Sequence, residues 1–227
     1  MSAPSIGIIS VNVGRPQRLL YQGKEVETGI FKEPAEGEIF LSKVNLDGDE
    51  QADLVYHGGV EKAVCVYPYE HYAYWTERLG KEMRFGAFGE NLTVTRLLED
   101  EVCIGDIFQW GEAVVQVSQP RQPCHKLAKR YDAPELALWV QETGYTGFYF
   151  RVQQEGVVGK EHPLRLQSRH PAGITLTYAN QIMHQDKKNQ EGLKRILAVE
   201  ELSTSWRQTF TKRLTGEVEN TVKRING

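Results

Sequence analysis

The sequence predicts a mainly β fold, a barrel with peripheral helices, followed by a small three-helix domain. Three observations carry this. Most apolar residues before position 168 fall in short β-branched or aromatic runs separated by glycine-rich turns, which favours a barrel over a doubly wound sheet. Two short segments break that pattern with helical spacing. Near residue 168 the character changes to three helical stripes, which divides the chain into residues 1–168 and 169–227.

The elements follow in order. Ser5 to Val13 is a brief β-branched run, and Ile39 to Val44 follows a Pro/Gly/Glu turn. Ala63-Val64-Cys65-Val66-Tyr67 is continuously apolar, as in a strand covered on both faces. Val102–Trp110 and Glu112–Ser118 flank Gly111, the pattern of a tight hairpin whose glycine takes positive φ. Gly147 to Val152, Val157-Val158 and Leu164-Arg165-Leu166 complete the strands. Pro68 is placed to open a helix with Tyr72, Trp75 and Leu79 on one face and Gly80 as its stop. Asp132, Pro134 and Glu135 form a capping-box pattern ahead of Leu136, Trp139 and Val140, with Gly144 at the end. Ser168 to Gly173 reads as a linker. Thr175 then caps Leu176, Ala179, Ile182 and Met183. Leu193, Ile196 and Leu197 make a second stripe. Ser203 caps Trp206, Phe210 and Leu214, with Gly216 as the stop. A bundle this small is expected to lean on the barrel.

Composition excludes several classes. The 227 residues are 40% apolar and 25% charged, enough for a core without staples. The net charge of −3 argues against general nucleic-acid binding. No apolar run reaches membrane-spanning length, and Met1-Ser2-Ala3-Pro4 lacks the features of a secretion signal. Three cysteines make no disulfide framework, so a reduced, cytoplasmic protein is expected. From residue 169 onward ten Lys/Arg face six Asp/Glu, while the first 168 residues carry 17 against 24. The basic tail is either a set of solvated helix faces or a docking surface.

The chemistry concentrates in Val117-Ser118-Gln119-Pro120-Arg121-Gln122-Pro123-Cys124-His125-Lys126-Leu127. Prolines brace the loop, and a helix is expected to begin at or just after Cys124. A thiol there, beside Arg121, His125 and Lys126, is expected to be a stabilised thiolate, hence a nucleophile or a soft-metal ligand. Cys65 and Cys103 read as core filling, and no C-x-x-C spacing exists. A second cluster runs from Leu46 to Asp53 and on to His57-Gly58-Gly59. Asp47, Asp49 and Asp53 fail as a calcium loop because the twelfth position is Gly58. His57 is open between a turn histidine and a functional one. A third, Phe85 to Leu92, is a glycine-rich loop with Glu90 and Asn91 at the head of a strand. A fourth is Ile30-Phe31-Lys32-Glu33-Pro34, unremarked by composition alone.

In order, these clusters resemble the MOSC family, the domain named for the C-terminal part of molybdenum-cofactor sulfurase, and within it the YiiM-like subgroup. The resembling residues are Leu46 to Asp53, His57-Gly58-Gly59, Tyr67 to Tyr72, Phe88 to Leu92, Ile104 to Phe108 and Ser118 to Cys124, with the three-helix tail. The resemblance implies a MOSC-type β-barrel that binds molybdenum cofactor. It implies Cys124 as the metal ligand, with Lys32, Asn91 and Arg121 holding the pterin phosphate and Ser118 among the cofactor-binding residues. An arginine that the family carries just before the Asn loop is absent from Phe88-Gly89-Glu90-Asn91, so the phosphate clamp differs there. The implied activity is reduction of N-hydroxylated bases, hydroxylamines and amidoximes, with His57 as proton source. No iron–sulfur cysteine set and no dinucleotide fingerprint occur, so electrons are expected from a separate reductase protein. Expected partners are a small N-hydroxylated substrate and that donor, with no nucleic acid and no membrane; a homodimer is compatible. The alternatives are a carrier of the cofactor or its sulfur without turnover, and a metal-free cysteine enzyme using Cys124 with His57 or His125.

Overall fold

The structure, a computed structural model, describes residues 6–21, 24–52 and 58–217. Twelve strands are present among them: β1 Gly7–Val13, β2 Gln17–Tyr21, β3 Lys24–Thr28, β4 Glu33–Pro34, β5 Glu38–Leu41, β6 Val64–Pro68, β7 Leu92–Thr95, β8 Ile107–Trp110, β9 Ala113–Pro120, β10 Phe148–Gln154, β11 Gly156–Gly159 and β12 Leu164–Ser168. Eight form one sheet in the order β12-β8-β9-β10-β6-β7-β1-β4, with β5–β11 and β2–β3 as separate two-stranded ribbons. Every pair is antiparallel except β6–β7, which is parallel and joined through helix α1, His71–Leu79. Register shifts interrupt the β1–β7, β9–β10 and β8–β12 ladders. Such bulges bend strands and increase twist, and the sheet curls. The mainly β expectation holds, with the sheet as a curled half-barrel whose end strands β12 and β4 do not pair with each other.

Side-chain alternation divides the sheet into two faces. Val64 and Val66 of β6 and Phe148 and Phe150 of β10 enter the main core with Val115, Val117, Phe108 and Trp110. Cys65 and Tyr149 are paired in register between them, so they share the opposite face. Under that second face lies a smaller aromatic core of Tyr67, Tyr72, Trp75, Phe88 and Leu127. The continuous apolar run at 63–67 is therefore buried on both sides, as its sequence predicts. Gly111 takes φ +55° in the β8–β9 turn, also as predicted.

Two helix starts are corrected. Pro68 ends β6, and α1 begins three residues later; Gly80 closes it in the left-handed region as expected. Asp132 does not cap the helix that follows. It terminates α2, His125–Tyr131, in the left-handed region at φ +51°, a conformation that Asp tolerates. Helix α3, Leu136–Thr143, starts without a side-chain cap and ends at Gly144.

The tail comprises α4, Leu176–Asn180, which continues as a π turn through Gln185, then α5, Gln190–Leu197, and α6, Thr204–Leu214. Thr175 and Ser203 cap α4 and α6 through their hydroxyls, as their sequence positions predict. The tail side chains Leu176, Ile182, Met183, Leu193, Ile196, Trp206 and Phe210 belong to the same buried cluster as the sheet. The segment read as a linker is fastened: Arg169 Nη1 lies 2.7 Å from Asp106 Oδ2, and the His170 amide donates to Asp106 Oδ1 at 2.8 Å.

Candidate functional site

The outer face of the sheet carries a half-open cleft of about 540 Å³, its mouth included. Six stretches of chain build it. The chain leaving β3 supplies Thr28, Gly29, Ile30 and Lys32; β6 supplies Cys65; the loop before β7 supplies Phe88, Gly89 and Asn91; β10 supplies Tyr149. The run after β9 adds Arg121, Cys124 and Lys126, and Lys62 and Gln51 complete the wall. Among the described residues, four cations line the cleft and no carboxylate does.

Lys32 is buried and forms an ion pair with Asp49, whose side chain is wholly enclosed. Asp49 also accepts from the Gly14 amide at 3.0 Å and from Asn91 Nδ2 at 2.9 Å. Asn91 in turn accepts from the Cys65 amide at 3.0 Å and donates to the Asn12 carbonyl at 3.2 Å. Both amide hydrogens of Asn91 are thereby used within the chain, so its part in the cleft is to hold Asp49 and β6. Glu90, fully buried, accepts from the Gly86 and Phe88 amides at 3.0 and 2.9 Å and from the Tyr72 hydroxyl, which sets the glycine-rich loop. Gly86 sits at φ +75°, where a Cβ would come within 2.7 Å of the Lys32 carbonyl. The absence of a side chain is what lets that loop close against Lys32. From the far end of α2, Arg130 donates to the Ile30 and Gly86 carbonyls at 2.6 and 2.7 Å. One short helix therefore carries Cys124 at one end and pins the Lys32 loop with the other.

Cys124 is the N-cap residue of α2, extended at φ −132°, and it opens onto the cleft rather than into an aliphatic core. Arg121 is 5% exposed, and its Nη1 has no hydrogen-bond partner. Among the described residues Arg121 has no carboxylate ion-pair partner either. Burial works against its charge, and neighbouring Cys65 and Tyr149 favour the cation only when they lose their own protons, well above neutral pH. Burial pushes the Cys65 thiol up to about 11, against the pull of Arg121. Burial, then the neighbouring Cys65, pushes the Tyr149 phenol well above its ordinary value. Both stay protonated donors at neutral pH. A buried guanidinium without an anion is costly unless a ligand supplies one.

Of the residues singled out from sequence, the cleft brings together Lys32, Asn91, Arg121 and Cys124. Ser118 does not line it; its hydroxyl donates to the Glu61 and Tyr149 carbonyls at 2.6 and 3.2 Å. His57 lies outside the described residues. Cys65, read as core filling, is buried but stands on the cleft wall, whereas Cys103 is buried beside Arg169. Lys62, Arg130 and Tyr149 were not recognised from sequence as parts of the site, and Asp49 and Glu90, though within the singled-out clusters, were given no role in it. The Asp-Gly-Asp spacing at 47–49 and the Glu inside a glycine-rich loop were the available signals.

A thiol and a cluster of cations line a cleft on the outer face of a curled sheet. The MOSC domain family matches residues 53–165, and the YiiM-like 3-alpha helix domain matches residues 174–217. YflK from Bacillus subtilis (strain 168) is 54% identical over 213 residues, covering 94% of this chain and 96% of that protein. The crystal structure of YiiM from Geobacillus stearothermophilus superposes with a TM-score of 0.79 at 42% identity, covering 92% of this chain and 99% of that one. A Gibberella moniliformis protein named reductase is 36% identical over 166 residues, 71% of this chain but 29% of that protein. The chain belongs to the MOSC family, in its YiiM-like branch. Among the described residues, no helix is long and apolar enough to cross a membrane.

Proposed function

We propose that this chain is a molybdenum-cofactor-dependent reductase of N-hydroxylated compounds, taking electrons from a separate reductase protein. The observation that carries the reading is Arg121: a buried cation with an orphaned nitrogen, close to the Cys124 thiol, in a cleft with three lysines and, among the described residues, no carboxylate. These residues fit the group. A thiolate is a soft donor suited to a metal already held by sulfur. A phosphate needs fixed cationic donors, and a planar guanidinium meets it with two parallel hydrogen bonds. Cys124 would hold the metal, and Arg121 and Lys32, with Lys62 and Lys126 around the wall, would hold the anionic end. Asn91 and Asp49 would keep Lys32 in place. When bound, the cofactor supplies the two-electron chemistry that removes oxygen from nitrogen, while the chain orients it and limits access. Tyr149 and Cys65 present protonated donors to the cleft, and Phe88 adds apolar surface to its wall.

Membership of the MOSC family and a relative named reductase support this reading. That relative is much longer than the matched segment, in keeping with electrons reaching a MOSC unit from elsewhere. The test uses protein made in a cofactor-competent host. Metal content, fluorescence of the released oxidised pterin and reduction of an N-hydroxylated base under an artificial reductant are measured for the wild type and Cys124→Ala. The wild type should carry metal and pterin and turn over; the variant should keep its fold and lose turnover. Full activity in the variant, or active wild type free of metal, would overturn the proposal.

A further inference from the structure

The three-helix tail contributes to the cleft through one junction. Helix α6 begins where two walls of the site end. The Thr204 amide donates to both oxygens of the Glu61 carboxylate at 3.0 Å, and the Thr204 hydroxyl reaches the same group at 3.3 Å. Arg151 Nη2 of β10 lies 3.2 Å from Glu61 Oε1. The Ser203 amide donates to the Ser118 carbonyl at 3.1 Å, and the Ser205 hydroxyl to Gln119 Oε1 at 3.1 Å. The Ser118 hydroxyl then returns to the Glu61 carbonyl at 2.6 Å. Glu61 directly precedes Lys62, and Ser118 and Gln119 lead into Arg121 and Cys124.

We propose that Glu61 is a positioning residue that, through the first turn of α6, holds the Lys62 wall and the Arg121–Cys124 wall of the cleft in register. The physical basis is ordinary. A carboxylate at a helix N-terminus satisfies amide donors that the helix cannot satisfy and interacts favourably with its dipole. Here that carboxylate lies 143 residues away in sequence and also takes a guanidinium, so one side chain ties the tail, β10 and the cleft loop. The tail then acts as a brace for the site, and removing it would leave both walls without their common anchor. The inference rests on reading the cleft as the ligand site, but its geometry does not depend on which ligand binds.

The test uses the full chain without cofactor. Amide hydrogen exchange is followed by mass spectrometry well below the unfolding temperature, and the rate at which iodoacetamide labels Cys124 is measured. Glu61→Ala should accelerate exchange about tenfold in both 58–63 and 118–124, leave β8 and β12 unchanged, and speed Cys124 labelling several-fold. Glu61→Gln, which keeps one acceptor for the Thr204 amide, should fall between and keeps the test valid if the alanine variant fails to fold. Arg207→Ala is the control. Arg207 donates to the Leu197 and Val199 carbonyls within the tail, so its loss should lower tail stability without loosening the two walls. Exchange confined to the start of α6 in the Glu61 variants would overturn the proposal. So would equal loosening by Arg207→Ala. Metal and pterin content of the wild type decides the cofactor reading separately, so either idea can fail while the other stands.

Discussion

Replacing Asp49 by Asn tests the electrostatic frame of the cleft most directly. Among the described residues, the partners of this carboxylate are all donors: Lys32 Nζ, the Gly14 amide, Asn91 Nδ2 and, at 3.5 Å, Gln51 Nε2. Asparagine keeps the shape but brings an NH2 group that must face one of those donors, and it strands a lysine that is 5% exposed. Breaking a buried pair by removing one partner costs about 3–5 kcal/mol. The lysine can relieve the strain by giving up its proton, which for an ordinary lysine at pH 7 costs about 4.6 kcal/mol and so caps the effect. At roughly 2–4 °C per kcal/mol for a chain of this size, the unfolding midpoint should fall by roughly 6–18 °C. Calorimetric unfolding of the cofactor-free chain measures this. Adding Lys32→Met to the Asp49→Asn variant removes the stranded charge and should recover more than half of the loss. A single-variant loss below about 1 kcal/mol, the range of an exposed pair, would refute the reasoning. Absence of recovery in the double variant would do the same.

Two further outcomes are expected. Arg121→Met should leave the cofactor-free chain as stable as the wild type or more so, because a buried cation without an anion is replaced by apolar volume, while cofactor content falls to background; a lower unfolding midpoint with unchanged cofactor content would show that Arg121 is a structural cation. Cys65 sets an alkaline limit. Its ordinary value of 9.0 rises to about 11 on burial, so the folded chain holds the extra proton between these values. That contribution is full below about pH 9 and is lost as pH rises toward 11, by about 2.7 kcal/mol for the two-unit difference. Cys65→Ala should flatten the fall in unfolding midpoint over this interval, and equal slopes in the two proteins would remove Cys65 as the cause.

Much of the fold was legible because its signals are local. A hydroxyl three residues ahead of an amide caps a helix wherever the chain goes, and Thr175 and Ser203 do so. The Gly111 hairpin and the stop at Gly80 need only the freedom of one residue. The two errors at Pro68 and Asp132 have a local cause as well. Both residues suit more than one place: proline can end a strand as easily as open a helix, and aspartate can close one helix in the left-handed region as easily as cap the next.

By itself, the sequence determined most of the strands and helices outside 17–34, the change of character near residue 168, and the proline-braced cysteine at 124. Only the tertiary structure decided what surrounds that thiol. Asp49 meets Lys32 from 17 residues away and Asn91 from 42, and Glu61 meets Thr204 across 143. The same long-range packing turned Ser118 from a candidate ligand into a tie between strands and brought Cys65 from the core to the cleft wall. Helix caps and turns are settled within a few bonds, but the balance of a buried charge depends on every group that folding brings beside it, and for Arg121 that balance leaves an anion wanting.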